Sequence, residues 1–409
     1  MSKRKIINDP VYDGFLSIDD PVILQVVEHP YFQRQRRIKQ LGLTYLVYPG
    51  AMHTRFSHML GALNLMGRAL DVLRQKDVAI TDEECRGAKL AILLHDIGHG
   101  PFSHTSERVL VDVPHEEITL LMMQRINDEM HGALDTAIEI FADRYPKHFL
   151  HQLVSSQLDM DRLDYLGRDS YFTGVSEGIV GTDRIISMLN VHDDELVVDE
   201  KGIYSVEKFI ISRRLMYWQV YLHKTVIAAD NLLLAILRRA RELAASGQNL
   251  GIDGLPLHEF LTHHYTEQDF VAHPELLDHF ALIDDSDIDM AVKCWLSHPD
   301  TVLRTLSDHL LNRHLSAIRV SAKPFGPEVL DTFRTQAQLL YGIEPHESEY
   351  FVGTGILRNH AYDYNDQEIK VLFKDGSCRD IGDASDQLDR HFLEKQVTKY
   401  YIYYPKELI

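Results

Sequence analysis

The segment AILLHDIGHGPFSHTSE, residues 91–107, runs from an apolar stretch directly into charged and imidazole side chains. Its apolar start is followed by three histidines, one aspartate and one glutamate within thirteen positions. Because an unpaired charge is costly to bury, such side chains either lie in water or have a partner. The pattern therefore indicates either an ordinary solvated helix end or a metal site.

A helix that ends at His95 and Asp96 would let one ion contact both side chains. Adjacent residues on a helix point about 100° apart, so they share an ion only near the helix end. Gly98 and Pro101 predict that end at the required place. Taken alone, a His-Asp pair is more often solvated than a ligand pair, because short motifs match by chance. Further donors are needed to support a metal.

Two more donors lie on other apolar helices. His58 falls in RFSHMLG, and Asp161 falls in LDMDRLDYLGRD. In the second segment, the spacing i, i+3, i+4, i+7, i+8 places on one helix face Asp161, Asp164, Tyr165, Arg168 and Asp169. Two imidazoles and two carboxylates suit a six-coordinate divalent ion, and they admit Mn, Mg, Fe, Ni, Co or Zn. The predicted metal ligands are His58, His95, Asp96 and Asp161.

The bulk composition of the 409 residues is typical of a globular protein, with 45% hydrophobic and 25% charged residues. No apolar run approaches the roughly eighteen residues of a membrane helix, and no apolar segment follows the basic N-terminus. Three widely separated cysteines do not indicate a disulfide framework. We therefore expect a cytoplasmic protein without a membrane partner. The net charge of −19 repels polyanions, so nucleic acid is not an expected partner.

Most of the first two thirds of the chain predicts helices. Residues 20–42 read as two helices separated by a proline, and residues 205–246 read as one long central helix. Residues 194–206 alternate around a Lys-Gly turn and predict a small hairpin. Strand-like segments return in the last part of the chain. We expect a mainly α fold, with one domain over 1–325 and a smaller α+β subdomain over 326–409.

Seven motifs occur in order across about residues 5–230: IINDPVYDGF, HPYFQRQRRIKQLG, YPGAMHTRFSHMLG, LLHDIGHGPFSH, PHEE, DMDRLDYLGRD and YLHK. In these motifs the chain resembles the HD-domain phosphohydrolases. Within them it resembles the dNTP triphosphohydrolases, namely the SAM- and HD-domain dNTPase without its SAM module, and the bacterial dGTPases. The resemblance implies a helical HD core around one divalent ion per subunit. It also implies that water activated at the metal attacks the α-phosphate of a dNTP, releasing a deoxynucleoside and inorganic triphosphate.

The resemblance further implies a nucleotide pocket. Arg55 matches the phosphate-contacting arginine of the family, and Arg162 stands where the family often has lysine. Tyr221 is expected against the sugar, which favours deoxyribose, and Tyr217 replaces an expected histidine. The predicted substrate contacts are Gln40, Arg55, His99, Arg162, Tyr165, Asp169, Arg213, Tyr217, Tyr221 and Lys224. Arg213, Tyr217, Tyr221 and Lys224 fall on one stripe of a helix. The alternative interpretation of this stripe is an ordinary helix face with both buried and solvated residues.

Cleavage needs a proton donor for the departing 5′-oxygen, and histidine is the commonest choice near neutral pH. The candidates are His104 and His115, with Glu107 or Glu116 as orienting carboxylates. A competing interpretation makes His99, His104 or His115 ligands of a second metal, as in some HD phosphodiesterases. The resemblance favours a single metal.

Two other function classes stay open. The same site could belong to a 5′-nucleotidase or phosphodiesterase that acts on another nucleotide. A non-catalytic nucleotide-sensing or nucleic-acid-binding protein could also keep this fold. That last class predicts degraded metal ligands, whereas the four candidate ligands are intact in this sequence.

The N-terminal third carries an expectation about regulation that rests on the resemblance. Relatives assemble into oligomers and can bind activating nucleotides between subunits near this region. The matching candidates here are Lys5, Glu28, Gln33 and Arg36. Glu28 is one methylene longer than the expected aspartate. We hypothesise a homo-oligomer, a dimer or tetramer, that responds to an activating nucleotide; a charged surface helix is the alternative.

Overall fold

Helices form most of the molecule. The computed structural model describes residues 5–12, 14–359, 362, 368–388 and 390–408, without the side chains of His104, Arg108 and Phe392. The helices up to the middle of the chain are α1 (Pro21–Glu28), α2 (Pro30–Arg34), α3 (Arg55–Gln75), α4 (Asp82–Leu94), α5 (Glu107–Leu110), α6 (His115–Glu129), α7 (Asp135–Phe141), α8 (His148–Gln152), α9 (Met160–Thr173), α10 (Thr182–Met188), α11 (Ile203–Met216) and α12 (Lys224–Ala245).

The C-terminal part adds shorter helices and most of the strands. The remaining helices are α13 (Leu257–Thr262), α14 (Glu267–Ala272), α15 (Glu275–Ala281), α16 (Asp285–Trp295), α17 (Thr301–Leu311), α18 (Pro327–Tyr341), α19 (Ile381–Ala384) and α20 (Arg390–Glu394). The strands are β1 (Lys5–Asn8), β2 (Phe15–Ile18), β3 (Leu189–His192), β4 (Glu195–Asp199), β5 (Ala317–Ser321), β6 (Gly353–Asn359), β7 (Lys370–Leu372), β8 (Cys378–Asp380) and β9 (Val397–Tyr404). The predicted mainly α fold class is confirmed.

Two helices occupy the segment 20–42, as predicted. The Asp20 side chain caps α1 by accepting hydrogen bonds from the backbone N–H groups of Val22 and Ile23. A proline stands in the first turn of α1 and of α2, where its missing N–H costs no hydrogen bond. Helix α2 ends at Arg34, and a 3₁₀ turn over Gln35–Arg37 follows it.

Helices α3, α4 and α9 carry the predicted metal ligands. Helix α4 begins at a capping box of Thr81 and Glu84 and ends at Leu94, directly before His95. The Asp159 side chain caps α9, and Gly174 ends it in the left-handed conformation at φ 74°. Helix α3 packs against both α4 and α9. The termini of α3, α4 and α9 therefore meet at one place.

The predicted long helix over 205–246 is wrong as a single helix. Helix α11 ends at Met216, a π-helical turn spans Tyr217–Tyr221, and α12 starts at Lys224 with its axis bent by 57°. His223 has an extended backbone, and its side chain accepts a hydrogen bond from the N–H of Thr225. This cap starts a new helix where the sequence pattern continued without interruption.

Within the described residues, three small sheets have the strand orders β1-β2, β3-β4-β7-β8 and β5-β9-β6. The predicted hairpin is present but displaced toward the N-terminus. Its turn lies at Asp193 and Asp194, which adopt positive φ angles of 51° and 63°, whereas Lys201 and Gly202 belong to a 3₁₀ turn before α11. Aspartate tolerates the left-handed conformation that a tight hairpin requires. Strand β4 also pairs with β7 from the C-terminal part, and the predicted division near residue 325 stays a prediction.

Among the described residues, no single helix combines the length and apolar character needed to cross a membrane. The bent pair formed by residues 200–221 and 224–245 meets both criteria only when its two parts are taken together.

Candidate metal centre and adjoining pocket

Three predicted metal donors converge where α3, α4 and α9 meet. His58 Nε2 lies 3.0 Å from Asp161 Oδ1 and 3.4 Å from His95 Nε2. His95 Nε2 lies 3.3 Å from the same Asp161 oxygen. His95 Nδ1 lies 2.7 Å from the carbonyl oxygen of Ile92. The other ring nitrogen, Nε2, is therefore the one available to bind a metal ion. The three groups offer nitrogen and oxygen donors within 4.8 Å of one another, the arrangement that a divalent ion requires.

The Asp96 carboxylate lies between this cluster and a second one. Its oxygens lie 3.4 Å from His95 Nε2 and 3.7 Å from His58 Nε2. The same carboxylate pairs with Arg55 and lies 3.3 Å from His99 Nε2. It also forms a second potential metal group with His99 and His115. The structure thus brings all four predicted ligands together, and their role as ligands stays a prediction.

The electrostatics of the cluster favour added positive charge. Burial alone would lower the pKa of His58, but hydrogen bonds to Asp161 and Asp164 raise it to about 10. Burial also lowers the pKa of His95, whereas the charges of Asp96 and Asp161 raise it overall. Burial raises the pKa of Asp161, yet His95 and His58 bring it well below its usual range. A divalent cation would supply the positive charge that these carboxylates now draw from protonated imidazoles.

A buried carboxylate on α9 holds His58 from behind. Asp164 Oδ2 lies 2.8 Å from His58 Nδ1 and accepts a bond of 2.8 Å from Arg168 Nε. Tyr12 donates to the other oxygen of Asp164 at 2.6 Å, and Asp9 pairs with Arg168. Such partners fix the ring orientation of a metal-binding histidine. The helical spacing places Asp164 and Arg168 on the same face of α9 as Asp161. It does not show that Asp164 contacts His58.

The turn after the His-Asp pair has a strained backbone that a distant carboxylate supports. Phe102 and Ser103 have positive φ angles of 53° and 55°. The N–H of Phe102 donates to Asp285 Oδ1 at 2.8 Å, and the other oxygen of Asp285 accepts from the N–H of Lys39 at 3.0 Å. Ser103 Oγ in turn accepts from Arg55 Nε at 3.0 Å. Asp285 therefore ties this turn to α16.

The predicted proton-transfer residues form a chain of imidazoles and carboxylates. Glu107 lies 2.6 Å from His99 Nδ1 and 3.5 Å from His115 Nδ1, and the two imidazole rings stack at 3.8 Å. Glu116 lies 3.3 Å from His115 Nε2. Burial and the charge of Arg55 lower the pKa of His99 to about 4. The side chain of His104 lies outside the described part of the structure.

The predicted sugar contacts meet on the side of the π-helical turn. Tyr221 donates to Asp169 Oδ2 at 2.7 Å, and its ring makes edge contacts with Tyr165 and Tyr217 at centroid distances of 6.2 and 5.1 Å. His53 holds the other oxygen of Asp169 at 2.8 Å. Burial, together with the charge of Asp169, raises the pKa of Tyr221 well above its usual value, so this hydroxyl stays protonated.

Four other predicted substrate contacts are Arg162, Arg213, Gln40 and Lys224. Arg162 Nε donates to the carbonyl of Ser156 at 2.6 Å. Arg213 lies near Arg162, and its pKa is lowered first by burial and then by that neighbouring charge. Gln40 Oε1 is buried without a hydrogen-bond partner among the residues that the structure describes. Lys224 is exposed at the first position of α12.

His53 is the pocket residue that the sequence reasoning missed. Its ring stacks on Phe172 at 4.6 Å, and its backbone carbonyl accepts from the N–H of Gln40 at 3.0 Å. One residue thus positions both Gln40 and Asp169. The only sequence signal was its place in the motif YPGAMHTRFSHMLG, because its spacing from either partner carries no periodicity.

Asp230 on α12 is expected to make stability depend on pH. Burial raises the pKa of its carboxyl to about 6, against the opposing hydrogen bond from Thr105 at 3.1 Å. The unfolded chain ionises this group near 3.8, so the free energy of unfolding should fall as pH rises from about 4 to 6. Asp230→Asn should remove that part of the decline. Urea denaturation from pH 4 to 7 checks this; parallel curves for both proteins would contradict it.

The four residues predicted to bind an activating nucleotide lie at the N-terminal surface. Lys5 Nζ lies 3.6 Å from Glu28 Oε1. Arg36 Nε donates to Gln33 Oε1 at 2.9 Å, and Gln33 donates to the carbonyl of Val27 at 2.6 Å. These pairs match a nucleotide site and a charged surface equally well, so the role stays a prediction.

Comparisons with known proteins agree with this geometry. Residues 55–168 match the HD domain, and residues 180–254 match the HD associated region. The solved structure of a phosphohydrolase from Bacteroides thetaiotaomicron is 50% identical, with a TM-score of 0.94, and the match covers 98% of this chain and 100% of that one. The protein YwfO of Bacillus subtilis is 32% identical over 100% of this chain and 94% of its own length.

A further relative has a stated activity. The deoxynucleoside triphosphate triphosphohydrolase SAMHD1 homolog of Dictyostelium discoideum is 32% identical over 54% of this chain. The match covers 46% of that relative, so this chain spans about half of its length. The HD match contains all four predicted metal ligands. The chain belongs to the HD-domain phosphohydrolase family.

Proposed function

We propose that the protein hydrolyses deoxynucleoside triphosphates to deoxynucleosides and inorganic triphosphate. The observation that carries the proposal is the donor cluster of His58, His95 and Asp161, with Arg162 and the tyrosines Tyr165 and Tyr217 near Asp161. The triphosphohydrolase activity of the SAMHD1 relatives supports it. Attack at the α-phosphate would separate the deoxynucleoside from the intact triphosphate.

The donor set fits one divalent cation per subunit. Two imidazole nitrogens and the Asp161 oxygen face one another, and Asp96 would complete the set. When bound, the ion supplies Lewis-acid stabilisation of phosphoryl oxygen and activation of a water molecule. Asp164 then keeps the His58 ring in position from behind. Mixed nitrogen and oxygen donors do not select the metal.

The arginines are proposed to bind the triphosphate. Arg162 and Arg213 lie close enough for one charge to lower the pKa of the other group. Asp159 lies 3.2 Å from Arg162 Nε and offsets part of this charge. Arginine matches phosphate oxygens with two parallel hydrogen bonds, so the pair suits a polyphosphate. Arg55, which is buried and pairs with Asp96, adds a third cation beside the donor cluster. The triphosphate would therefore lie across these three arginines, with His99 and Lys224 as further contacts.

The departing 5′-oxygen receives its proton from His115 or His104 in this proposal. Glu107 and Glu116 both lie within 3.5 Å of His115 ring nitrogens and would orient the ring. Protonated histidine is the commonest acid near neutral pH. His115→Gln and His104→Gln, compared across a pH profile, would assign the acid to one of them.

Tyr221 is proposed to exclude the ribose 2′-hydroxyl, with Tyr165, Tyr217 and Asp169 around the same sugar. Because Asp169 fixes its hydroxyl, the Tyr221 ring cannot move aside easily. We expect Tyr221→Ala to reduce the ratio of kcat/KM for dGTP over GTP by roughly tenfold or more, about 1.4 kcal/mol. Tyr204→Ala, which changes an exposed tyrosine, serves as control. An unchanged ratio in Tyr221→Ala would contradict the assignment.

Product analysis tests the proposed reaction. The purified protein is incubated with each of four dNTPs and four NTPs in Mn²⁺ or Mg²⁺, and the products are separated by ion exchange. We expect deoxynucleosides and tripolyphosphate from the dNTPs. Orthophosphate, pyrophosphate or monophosphates as the sole products would disprove the proposal.

A two-metal phosphodiesterase or nucleotidase is the second candidate. One observation favours it: Asp96, His99 and His115 form another group of possible ligands next to the first. Metal analysis separates the two candidates, because the first predicts one ion per chain and the second predicts two. Hydrolysis of a nucleoside monophosphate or cyclic dinucleotide, without release of tripolyphosphate, would favour the second.

Regulation by an activating nucleotide belongs to the same proposal. Lys5, Glu28, Gln33 and Arg36 would bind it between subunits of a homo-oligomer. Gel filtration with light scattering, with and without dGTP, should show a larger assembly and higher activity when dGTP is present. Glu28→Ala should lose this response. Unchanged mass and unchanged activity would remove the regulatory part and leave the reaction itself untouched.

A further inference from the structure

A cavity of about 780 Å³ lies against α9 on the side away from the candidate metal centre. Small-molecule sites commonly have about 300–1,000 Å³. Leu163, Gly167, Tyr171 and Gly174 of α9 line it, together with parts of the β1-β2 hairpin, α3 and residues 176–183. None of the predicted metal, substrate or activator residues is among the lining residues. The cavity is therefore distinct from the proposed metal and substrate sites, although its lining residues Asp9 and Tyr12 also belong to the network behind His58.

The mouth of the cavity carries large apolar side chains that face solvent. Phe15, Tyr171 and Ile179 are 70%, 58% and 60% exposed. Single exposed apolar residues are normal, but several around one opening indicate a binding surface. Aromatic side chains there offer ring faces to a planar ligand. Leu60 and Leu163 continue the apolar wall inward.

Among the lining residues that the structure describes, the charged groups are paired. Asp9 binds Arg168 at 2.6 Å, and Arg68 binds Asp183 at 2.6 Å. A phosphate or carboxylate would lie beside the like charges of Asp9 and Asp183. The described lining residues thus favour a ligand without net charge.

Asn64 supplies the directional contact. It lies on α3, one turn from Leu60 and one from Arg68, and its amide makes no hydrogen bond to another described residue. The amide offers a donor beside an acceptor. That pair matches the edge of a heteroaromatic ring with an adjacent acceptor and donor, as in adenine.

We propose that this cavity binds a neutral, planar heteroaromatic ring of purine-base chemistry. The ring lies against the aromatic mouth and hydrogen-bonds to Asn64. This site is independent of the proposed reaction, and its test uses no measurement of activity.

Gly167 allows the cavity to be filled without a clash. A Cβ atom at this position meets nothing within 4 Å, and a leucine in a helix interior is favoured over glycine. Adenine binding is measured by saturation-transfer NMR titration. We expect Gly167→Leu to weaken it at least tenfold and Asn64→Leu to weaken it at least fivefold. Gly254→Leu, whose Cβ also meets open space but outside this cavity, should bind as the wild type does.

Several outcomes would overturn the proposal. Adenine binding that is unchanged in both Gly167→Leu and Asn64→Leu would place the ligand elsewhere, including in the proposed substrate pocket. Absence of adenine binding to the wild type would also disprove it. Light scattering tests whether Phe15→Ser and Tyr171→Ser convert an oligomer of this protein to the monomer. If they do, and adenine does not bind to the wild type, the mouth of the cavity is an interface between two copies of this protein. Circular dichroism verifies the fold of each variant, and Asn64→Leu keeps the test valid if Gly167→Leu fails to fold.

Discussion

On the proposed function, replacing Asp161 by asparagine should abolish metal binding and reduce triphosphate release by roughly a thousandfold, about 4 kcal/mol. The Asp161 oxygen lies about 3 Å from both His58 Nε2 and His95 Nε2, so it is the shared anionic donor of the cluster. Asparagine keeps the volume but loses the charge. Metal content of protein purified without chelators and turnover of dNTPs are measured together.

The control for this prediction is Glu117→Gln, which removes an exposed carboxylate at the start of α6. It should keep both metal and turnover. The Asp161 side chain is partly exposed at the helix end, so its variant should remain folded by circular dichroism. Retained metal together with turnover within tenfold of wild type would refute the assignment.

Asp164→Asn is expected to cost about 3–5 kcal/mol of stability, the usual effect of removing one partner from a buried ion pair. Asp164 and Arg168 are fully buried, and Asp164 also holds His58 and Tyr12. Metal affinity should fall roughly 10- to 100-fold, because the orientation of His58 is lost. Guanidinium denaturation and metal titration give the two numbers.

Glu139→Gln is the matched surface variant for this test. It breaks the exposed ion pair with Arg144, and exposed pairs contribute little. Its denaturation midpoint should equal that of the wild type. If Asp164→Asn also unfolds at the wild-type midpoint, the buried network does not stabilise the fold in the way described.

The helical fold could be predicted because it rests on local signals, whereas the grouping of His58, His95, Asp96 and Asp161 rests on the ordered motifs shared with the HD-domain phosphohydrolases. Asp20 and its following proline define the start of α1, and Gly98 after His95 and Asp96 marks the end of α4. The periodic face of α9 brings Asp161 toward the centre. Such signals depend on residues within one or two turns, which a single sequence displays directly.

Other features depend on contacts between distant residues and were not visible in the pattern. The break at Tyr217–Tyr221 falls in a continuous apolar helical pattern, and the His223 cap resembles any helix-interior histidine. The hairpin turn lies at Asp193 and Asp194, whereas the Lys-Gly pair carried the stronger turn signal. His53 binds Asp169 across 116 positions of sequence. Tertiary contacts decide all of these.

Because Asp285 holds the strained turn next to the candidate metal centre, a shortened form of the protein has to include Asp285 to keep that turn. The regions matched to the HD domain and its associated region end at residue 254, some thirty positions earlier. A protein cut at residue 254 would keep every proposed metal ligand but lose the acceptor for the N–H groups of Phe102 and Lys39. The strained turn would then relax and carry Ser103 and Arg55 with it. A shortened form of the protein should therefore include α16.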